Sequence, residues 1–510
     1  MEMRKTVILG LLLTLWSCTR QEPVRPNIIF IMTDDHAYQA VGAYGSRINA
    51  TPNLDRIADE GIIFRNSFVC NSICAPSRAA LLTGKHSHAN GHLDNRHRFD
   101  SSQVTFPKLL QEAGYQTALI GKWHLKSDPT GFDYWNILPG QGSYYNPDFI
   151  EMGRAYRETG YATTIITDMA IRWLQNRETG KPFCLLVHHK APHRNWMPDT
   201  IDFGLFDGME FPVPETFFDN YEGRQAAAEQ EMSVIKDMRM SSDLKITGAD
   251  GDSLSQAEKD YLWYVNHRLT PEQRKAWLRE YDSISKAFNA GPPTGDSLAL
   301  YKLNRYLTDY LRTVQSVDRN TGRLLDYLES SGLLKNTLVV YTSDQGFYLG
   351  EHGWFDKRFM YEESFRTPLM MRLPDSFTAR GDIEQMVQNI DFAPTFLELA
   401  GVEPPADMQG VSLVPLLKGS NPKKWRDALY YHYYEYPAEH AVKRHYGIRT
   451  DRYKLIHFYN DIDRWEPYDL GTDPHEMKNL IDDPAYDRVE SDLRKRLDGL
   501  RELYKVPIED

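Results

Sequence analysis

Four short apolar runs constrain the fold of this chain most, because each one stops at polar residues of a consistent kind. Residues 27–33 (NIIFIMT) end at Asp34-Asp35, and residues 336–342 (NTLVVYT) end at Ser343-Asp344-Gln345-Gly346. Residues 117–120 end at Gly121-Lys122-Trp123-His124, and residues 183–187 end at His188-His189-Lys190-Ala191-Pro192-His193. A near-continuous apolar run of this length reads as a strand buried on both faces. Helical patterns fill the intervals, over 53–60, 106–113 and 167–176. Strands alternating with helices predict an α/β fold, with a mostly parallel sheet covered on both sides. In such sheets ligands collect at the carboxyl ends of the strands. An Asp-Asp pair after one strand is ordinarily a cap or a turn. Taken jointly, the four runs predict carboxylates, lysines and histidines converging on one sheet edge from distant parts of the chain.

At 510 residues the chain exceeds one ordinary core. The net charge of −12 argues against nucleic-acid binding, and an anionic substrate would need a basic pocket in an acidic surface. Residues 24–417 carry the strand-helix pattern. Within them, 220–307 differ in texture, being rich in Glu, Gln, Lys and Ala, and read as a helical insertion, largely solvated scaffold, that leads into a long helix over 298–328. A break falls at 418–424. Beyond it, 425–505 read as a small C-terminal α+β subdomain with aromatic strands at 429–436 and 453–459. A closing helix carries Val489, Leu493, Leu497, Leu500 and Leu503 on one face, suited to packing on a short antiparallel sheet.

The N-terminus reads as an export signal over residues 1–17. Arg4 and Lys5 precede an apolar run, 7–16, that is too short to span a bilayer. Leu15-Trp16-Ser17-Cys18 resembles a bacterial lipobox, with Cys18 the lipidated residue. The expectation is an exported protein of a diderm bacterium, periplasmic or anchored to the outer membrane through that lipid alone; plain secretion is the alternative. Cys184 lies in an apolar run and reads as a small core residue, although a Cys70–Cys184 disulfide is also compatible with the sequence.

Cys74-Ala75-Pro76-Ser77-Arg78 adds the chemistry. Pro76 suits a first helical position, which places Cys74 just before a helix start. Free N–H groups and the positive dipole end gather there, and Arg78 follows one turn later. An anion such as sulfate or phosphate fits that corner.

With Thr83-Gly84 downstream, this stretch resembles the signature of the type I sulfatases of the alkaline-phosphatase-like superfamily. The resemblance extends over roughly 26–417, with a weaker match in the tail. It implies that a maturation enzyme oxidises Cys74 to formylglycine, whose hydrate is the nucleophile. It also implies a divalent cation on Asp34, Asp35, Asp344, Gln345 and the modified Cys74. Hard oxygen donors suit Ca²⁺; Gln345 departs from the family, where Asn or His is commoner. Lys122, His124, His193 and Lys357 match the basic residues around the sulfate. By analogy, Arg78, Lys122 and Lys357 stabilise charge, His193 protonates the leaving alcohol, and His124 takes a proton from the nucleophile's second hydroxyl. Gly350-Glu351-His352-Gly353-Trp354-Phe355-Asp356-Lys357 and the segment 432–449 are similar to the branch that desulfates glycosaminoglycan sugars, nearest to N-acetylglucosamine-6-sulfatases. That branch implies a sulfated saccharide partner, contacted by His352, Asp356, Arg358, His440 and His445. Competing readings are a sulfatase for another ring position, a phosphodiesterase or phosphonate monoester hydrolase of the same superfamily, and a glycan-binding lipoprotein without activity.

Overall fold

The computed structural model describes residues 25–249, 254, 256–420, 422 and 424–508. The signal segment and Cys18 lie outside the described residues. The strands of the main sheet are β1 (Asn27–Thr33), β2 (Ile62–Phe64), β3 (Gln116–Lys122), β4 (Tyr134–Leu138), β5 (Asp148–Glu151), β6 (Arg154–Arg157), β7 (Phe183–His188), β8 (Thr337–Ser343), β9 (Leu369–Arg372) and β10 (Gly381–Ile383). Their spatial order is β10-β2-β9-β8-β1-β7-β3-β4-β5-β6. The central five, β8-β1-β7-β3-β4, are parallel, and β9, β5 and β6 run antiparallel to their neighbours toward the two edges.

Each of the four apolar runs is a central strand. Their registers are level at the carboxyl end: Met32 faces His188, Thr33 faces Ser343, and Gly121 faces His188. The polar residues that follow therefore leave the sheet side by side. Alternation explains why the runs are apolar throughout. Ile29, Ile31, Leu185, Val187, Val339 and Tyr341 point into one core; Ile28, Phe30, Cys184, Leu186, Leu338 and Val340 point into the other. Burial of each large side chain stabilises the fold by roughly 1.5–3 kcal/mol relative to exposure.

The predicted helices are present as α1 (Pro52–Asp59), α2 (Cys74–Thr83), α3 (Phe106–Glu112) and α4 (Ala162–Asn176). The insertion is only partly helical. It contains α5 (Gln256–His267) and α6 (Pro271–Ala290) and runs into α7 (Gly295–Ser330), but residues 229–249 form turns. These turns bury Met232, Val234, Met238, Leu244 and Ile246 against Trp354 and Phe355, at spacings no single helix face could bury. The segment is therefore packed structure beside the sheet edge rather than solvated scaffold.

The C-terminal unit is an antiparallel sheet of β11 (Ala428–Tyr433), β12 (His445–Thr450), β13 (Tyr453–Phe458) and β14 (Arg464–Asp469), in that order. The closing helix α8 (Asp487–Leu503) packs Leu493 and Leu497 on Tyr430, Ile448 and Leu455. Tyr430, Tyr431 and Tyr433 are core residues. The sheet docks on the main body beside Cys74: the His432 N–H donates to Cys70 O at 3.0 Å, and the Tyr431 hydroxyl donates to Arg358 O at 2.5 Å. Cys70, Cys74 and Cys184 are all buried free thiols, and no disulfide exists among the described residues. No described helix is long and apolar enough to cross a membrane.

Candidate active site

Asp34 and Asp35 follow β1, Asp344 and Gln345 follow β8, Lys122 ends β3, and His193 lies in the turn after β7. One oxygen each from Asp34, Asp35 and Asp344 lies within 4.8 Å of the others. The Cys74 thiol, an Asp34 oxygen and a His193 ring nitrogen form a second group of the same size, 4.8 Å. Helix α2 brings Cys74 to this edge. It starts at Cys74, with Ile73 as the cap, so Cys74 sits in the first turn rather than just before it, and Pro76 is the third helical residue. The Cys74 amide remains at the helix N-terminus in either case.

Arg78, one turn along α2, is 2% exposed and fully engaged. Its Nε and Nη2 donate to Asp344 Oδ2 at 3.0 and 2.8 Å, and its Nη1 donates to Lys122 O at 2.8 Å. The Ser77 hydroxyl donates to Asp344 O, and Asn389 Nδ2 donates to Ser77 Oγ at 2.9 Å. Lys122 pairs with Asp34, and Lys357 and the Gln345 amide both donate to Asp35 Oδ1. Gln141 Oε1 accepts from Lys122 Nζ at 2.5 Å. Asp35 adopts φ 70°, a backbone strain that persists where the surroundings fix it.

Three oxygens of this cluster are buried without a hydrogen-bond partner: Asp34 Oδ1, Asp35 Oδ2 and Gln345 Oε1. Burial pushes the Asp35 carboxyl up to about 6, only partly offset by Lys357. Carboxylates crowded together with unsatisfied oxygens are a hard-cation donor set, and an ion there removes both the repulsion and the orphaned acceptors. The predicted ligands thus fit a divalent cation, including the long Gln345 arm.

The remaining predicted residues divide. His193 Nε2 lies 3.8 Å from Asp35 Oδ2, and its Nδ1 donates to Arg194 O at 2.6 Å. Burial, with Lys122, Lys190 and Lys357 adding to it, holds His193 well below the ordinary imidazole range. His124, mostly buried with an unpartnered Nδ1, is depressed by burial and then by Lys122, Arg78, Lys357 and Lys190. Lys357 stays cationic, since Asp35, Cys74 and Asp356 outweigh the opposition of burial. Burial pushes the Cys74 thiol up to about 12, so an unmodified Cys74 is a poor nucleophile.

Asp356, Arg358 and His440 form a second polar group. His440 Nε2 lies 3.3 Å from Asp356 Oδ2, and Arg358 Nη2 lies 3.5 Å from Asp356 Oδ1. Arg358 is 6% exposed, yet its Nε and Nη1 have no partner. The insertion clamps His440: its Nδ1 donates to Glu231 O at 2.7 Å, and the Glu231 N–H returns a bond to His440 O at 2.8 Å.

Two expected substrate contacts are corrected. His352 is fully buried, with Nδ1 on Asp219 at 2.8 Å and Nε2 facing buried Glu363 at 4.0 Å. His445 opens β12 and is also fully buried; its Nδ1 donates to Lys443 O at 2.8 Å, and its Nε2 accepts from the Met360 N–H at 3.1 Å. Both nitrogens of His445 are engaged; His352 Nε2 makes no hydrogen bond, but its ring is fully buried beside Asp219 and Glu363. Of the basic segment 440–445, only His440 reaches the polar group, because Lys443 pairs with Glu229 and Arg444 with Asp461.

The sequence reading did not single out Gln141, Lys190 or Arg194. Lys190 and Arg194 flank His193 in the run after β7, which was the signal available; Gln141 lies in an ordinary Pro-Gly-Gln-Gly turn with none.

A family model described as Sulfatase matches residues 26–402, and a second, described as N-sulphoglucosamine sulphohydrolase, C-terminal, matches 350–503. An N-acetylglucosamine-6-O-sulfatase of Bacteroides thetaiotaomicron is 52% identical over 502 residues, covering 97% of this chain and 90% of that protein. The human N-acetylglucosamine-6-sulfatase is 26% identical over 429 residues, covering 79% of this chain and 66% of that one. A solved structure of an enzyme in complex with its substrate D-glucosamine-2-N,6-O-disulfate superposes with a TM-score of 0.90 at 52% identity, covering 94% of this chain and 98% of that chain.

Proposed function

The chain belongs to the sulfatase family, and from that premise we propose that it hydrolyses the 6-O-sulfate ester of N-acetylglucosamine or a related glucosamine in glycosaminoglycan or mucin-type glycans. The observation that carries the reading is the meeting of Cys74 with three strand-end carboxylates and two buried lysines at one sheet edge. The ring position rests on the 52% identity to a 6-O-sulfatase and on the likeness to a complex holding a 6-O-sulfated sugar.

Formylglycine at position 74 supplies a hydrated aldehyde as nucleophile, and Ca²⁺ on Asp34, Asp35, Asp344 and Gln345 supplies positive charge beside it. The chain's own groups do the rest. Lys357 and Arg78 set fixed positive charge around the sulfate oxygens, and Lys122, whose charge burial opposes, is held as an ammonium by its pair with Asp34; such preorganised electrostatics dominates these reactions. In the free site His193 is neutral, since burial and three lysines oppose its charge. A sulfate monoester offsets those lysines, so binding favours the protonated ring that donates to the leaving alcohol. His124, neutral for the same reason, is the base on the side of Lys122. Asp356, Arg358 and His440 offer the sugar hydroxyls an acceptor and two unsatisfied N–H groups.

The test is free sulfate released from N-acetylglucosamine-6-sulfate by Ca²⁺-loaded enzyme made together with a maturation enzyme. Wild type should turn over, and Cys74→Ala should be inactive with an unchanged circular dichroism spectrum. If a mass spectrum shows formylglycine at 74 and no sulfate appears, the 6-O assignment is wrong. Sugars sulfated at positions 2, 3 and 4, and phosphodiesters, are then the substrates to try.

A further inference from the structure

Lys190 holds a charge that no neighbour neutralises. Seven lysines are buried among the described residues, and six of them have partners. Lys122 and Lys357 pair with Asp34 and Asp35, Lys245 with Asp309, Lys443 with Glu229, and Lys454 with Glu476. Lys302 donates to Ile235 O at 2.7 Å. Lys190 is 5% exposed, yet its ammonium makes no hydrogen bond or ion pair among the described residues. Its Nζ sits over the Tyr144 ring, 4.9 Å from the centre. A buried charge without a partner is costly to keep and marks a place where a ligand completes the set. We propose that Lys190 is a further catalytic residue, whose ammonium donates to the departing alcohol oxygen beside His193. The inference rests on the sulfatase reading above and adds a cation to it.

The backbone fixes Lys190 at the reactive edge. The residue lies just past the end of β7, where the His189 N–H donates to Met32 O at 2.8 Å and the Asp34 N–H donates to Ala191 O at 3.4 Å. The His193 N–H closes the turn onto Lys190 O at 3.0 Å. Tyr144 holds both ends of that turn: its hydroxyl donates to His193 O at 2.5 Å, and its ring lies against the Lys190 ammonium. Lys190 and His193 are thus set side by side. Lys190 also lines a cavity of about 360 Å³, which leaves open space beside the ammonium.

The other cations of the site are tethered. Lys122 is held by Asp34, Lys357 by Asp35 and Arg78 by Asp344. His193 is neutral in the free site. Lys190 therefore supplies the untethered charge on the His193 side, on an unbranched stem that can follow an oxygen as it leaves. Burial lowers Lys190 to about 8, with Asp35 and Cys74 resisting, so the ammonium persists at neutral pH. As the S–O ester bond breaks, its electron pair stays on the alcohol oxygen. His193 gives that oxygen its proton; Lys190 lends a hydrogen bond, stabilises the developing charge and keeps its own protons.

The experiment measures kcat and KM for N-acetylglucosamine-6-sulfate, and inhibition by inorganic sulfate, with Ca²⁺-loaded enzyme. Rates are taken per formylglycine, counted by mass spectrometry. Lys190→Met keeps the stem and its packing on Tyr144 and removes only the charge. It should lower kcat by roughly 10²-fold with KM within about threefold of wild type, while Lys190→Arg stays within about tenfold in kcat. Inorganic sulfate lacks the leaving oxygen, so it should inhibit wild type and Lys190→Met within about twofold of each other. A kcat of Lys190→Met within about threefold of wild type overturns the proposal. So does inhibition by sulfate weakened about tenfold or more, which would put Lys190 on the sulfate oxygens instead. A kcat loss that comes with a lower melting temperature in both Lys190→Met and Lys190→Gln makes the residue structural and overturns it as well. Failure of the sulfatase reading looks different: wild type then releases no sulfate at all, and both inferences fall.

Discussion

Arg78 illustrates how one side chain joins structure to chemistry. Two of its donors hold Asp344, whose side chain is fully buried, and a third holds the Lys122 carbonyl. A planar fork makes both sets of bonds at once; an ammonium could not. Arg78→Ala would thus remove a cation from beside the reacting group and leave Asp344 buried without its partner. The first effect lowers kcat by roughly 10²–10³, the size found when one charge-stabilising donor is lost. The second destabilises the fold by about 3–5 kcal/mol, the usual result of breaking a buried pair by removing one member. Arg78→Lys should keep the charge but not the fork and fall between the two. Initial rates and urea midpoints measured on the same preparations check both. Turnover of the Ala variant within a few-fold of wild type would show that Arg78 supports Asp344 without acting on the substrate.

At the level of the element, the end of β3 has a demanding conformation. Gly121 has φ +107°, and a Cβ there would sit 1.9 Å from the His188 carbonyl of β7. Only glycine lets β3 and β7 stay paired at this register while β3 ends one residue later at Lys122. Gly121→Ala should therefore lower stability by about 3 kcal/mol or more, from strain plus overpacking, and displace Lys122. A lowered urea midpoint together with reduced kcat is the expected result; an unchanged midpoint would mean the strands part without penalty. The same level shows what sequence can reveal. Central strands were legible because burial on both faces demands a continuous apolar run. Their ends were legible because polar residues begin where the cores stop. The strand β12 was not, since the sequence patterns place strands at 429–436 and 453–459 and none between them. The partners of its polar residues come from elsewhere in the chain: the Met360 N–H for His445, and Glu362, paired with the Arg449 guanidinium at 3.3 Å. His352 misled in the same way, because Asp219, which buries it, lies 133 residues away. The catalytic cluster needed only short polar signals after strands, whereas the substrate side depends on long-range pairings that no local pattern encodes.

For the molecule as a whole, the cluster ties folding to cation binding. Two strand ends hold three carboxylates within 4.8 Å, an arrangement the unfolded chain lacks. An ion that binds only the folded state adds RT ln(1 + [L]/Kd), about 2.7 kcal/mol at one hundred times Kd. Melting temperature should therefore fall in EDTA and recover in Ca²⁺, and Asp35→Asn should abolish the recovery. Protons compete for the same oxygens. In the cation-free protein burial holds the Asp35 carboxyl at about 6, above its unfolded value of 3.8. Its folded form thus prefers the proton. Without cation, this group's contribution to stability is greatest at low pH and is lost as pH rises through about 6. With Ca²⁺ the order inverts, because ligation needs the ionised carboxylate. Below about pH 6 each unit should weaken apparent Ca²⁺ affinity by up to about tenfold, or about 1.4 kcal/mol. Melting curves in EDTA and in Ca²⁺ should then lie well apart at pH 7.5 and draw together toward pH 5, with Asp35→Asn showing no gap at either. Curves that coincide at pH 7.5 would remove the cation from this site, and a gap that stays constant down to pH 5 would place the cation elsewhere than on Asp35.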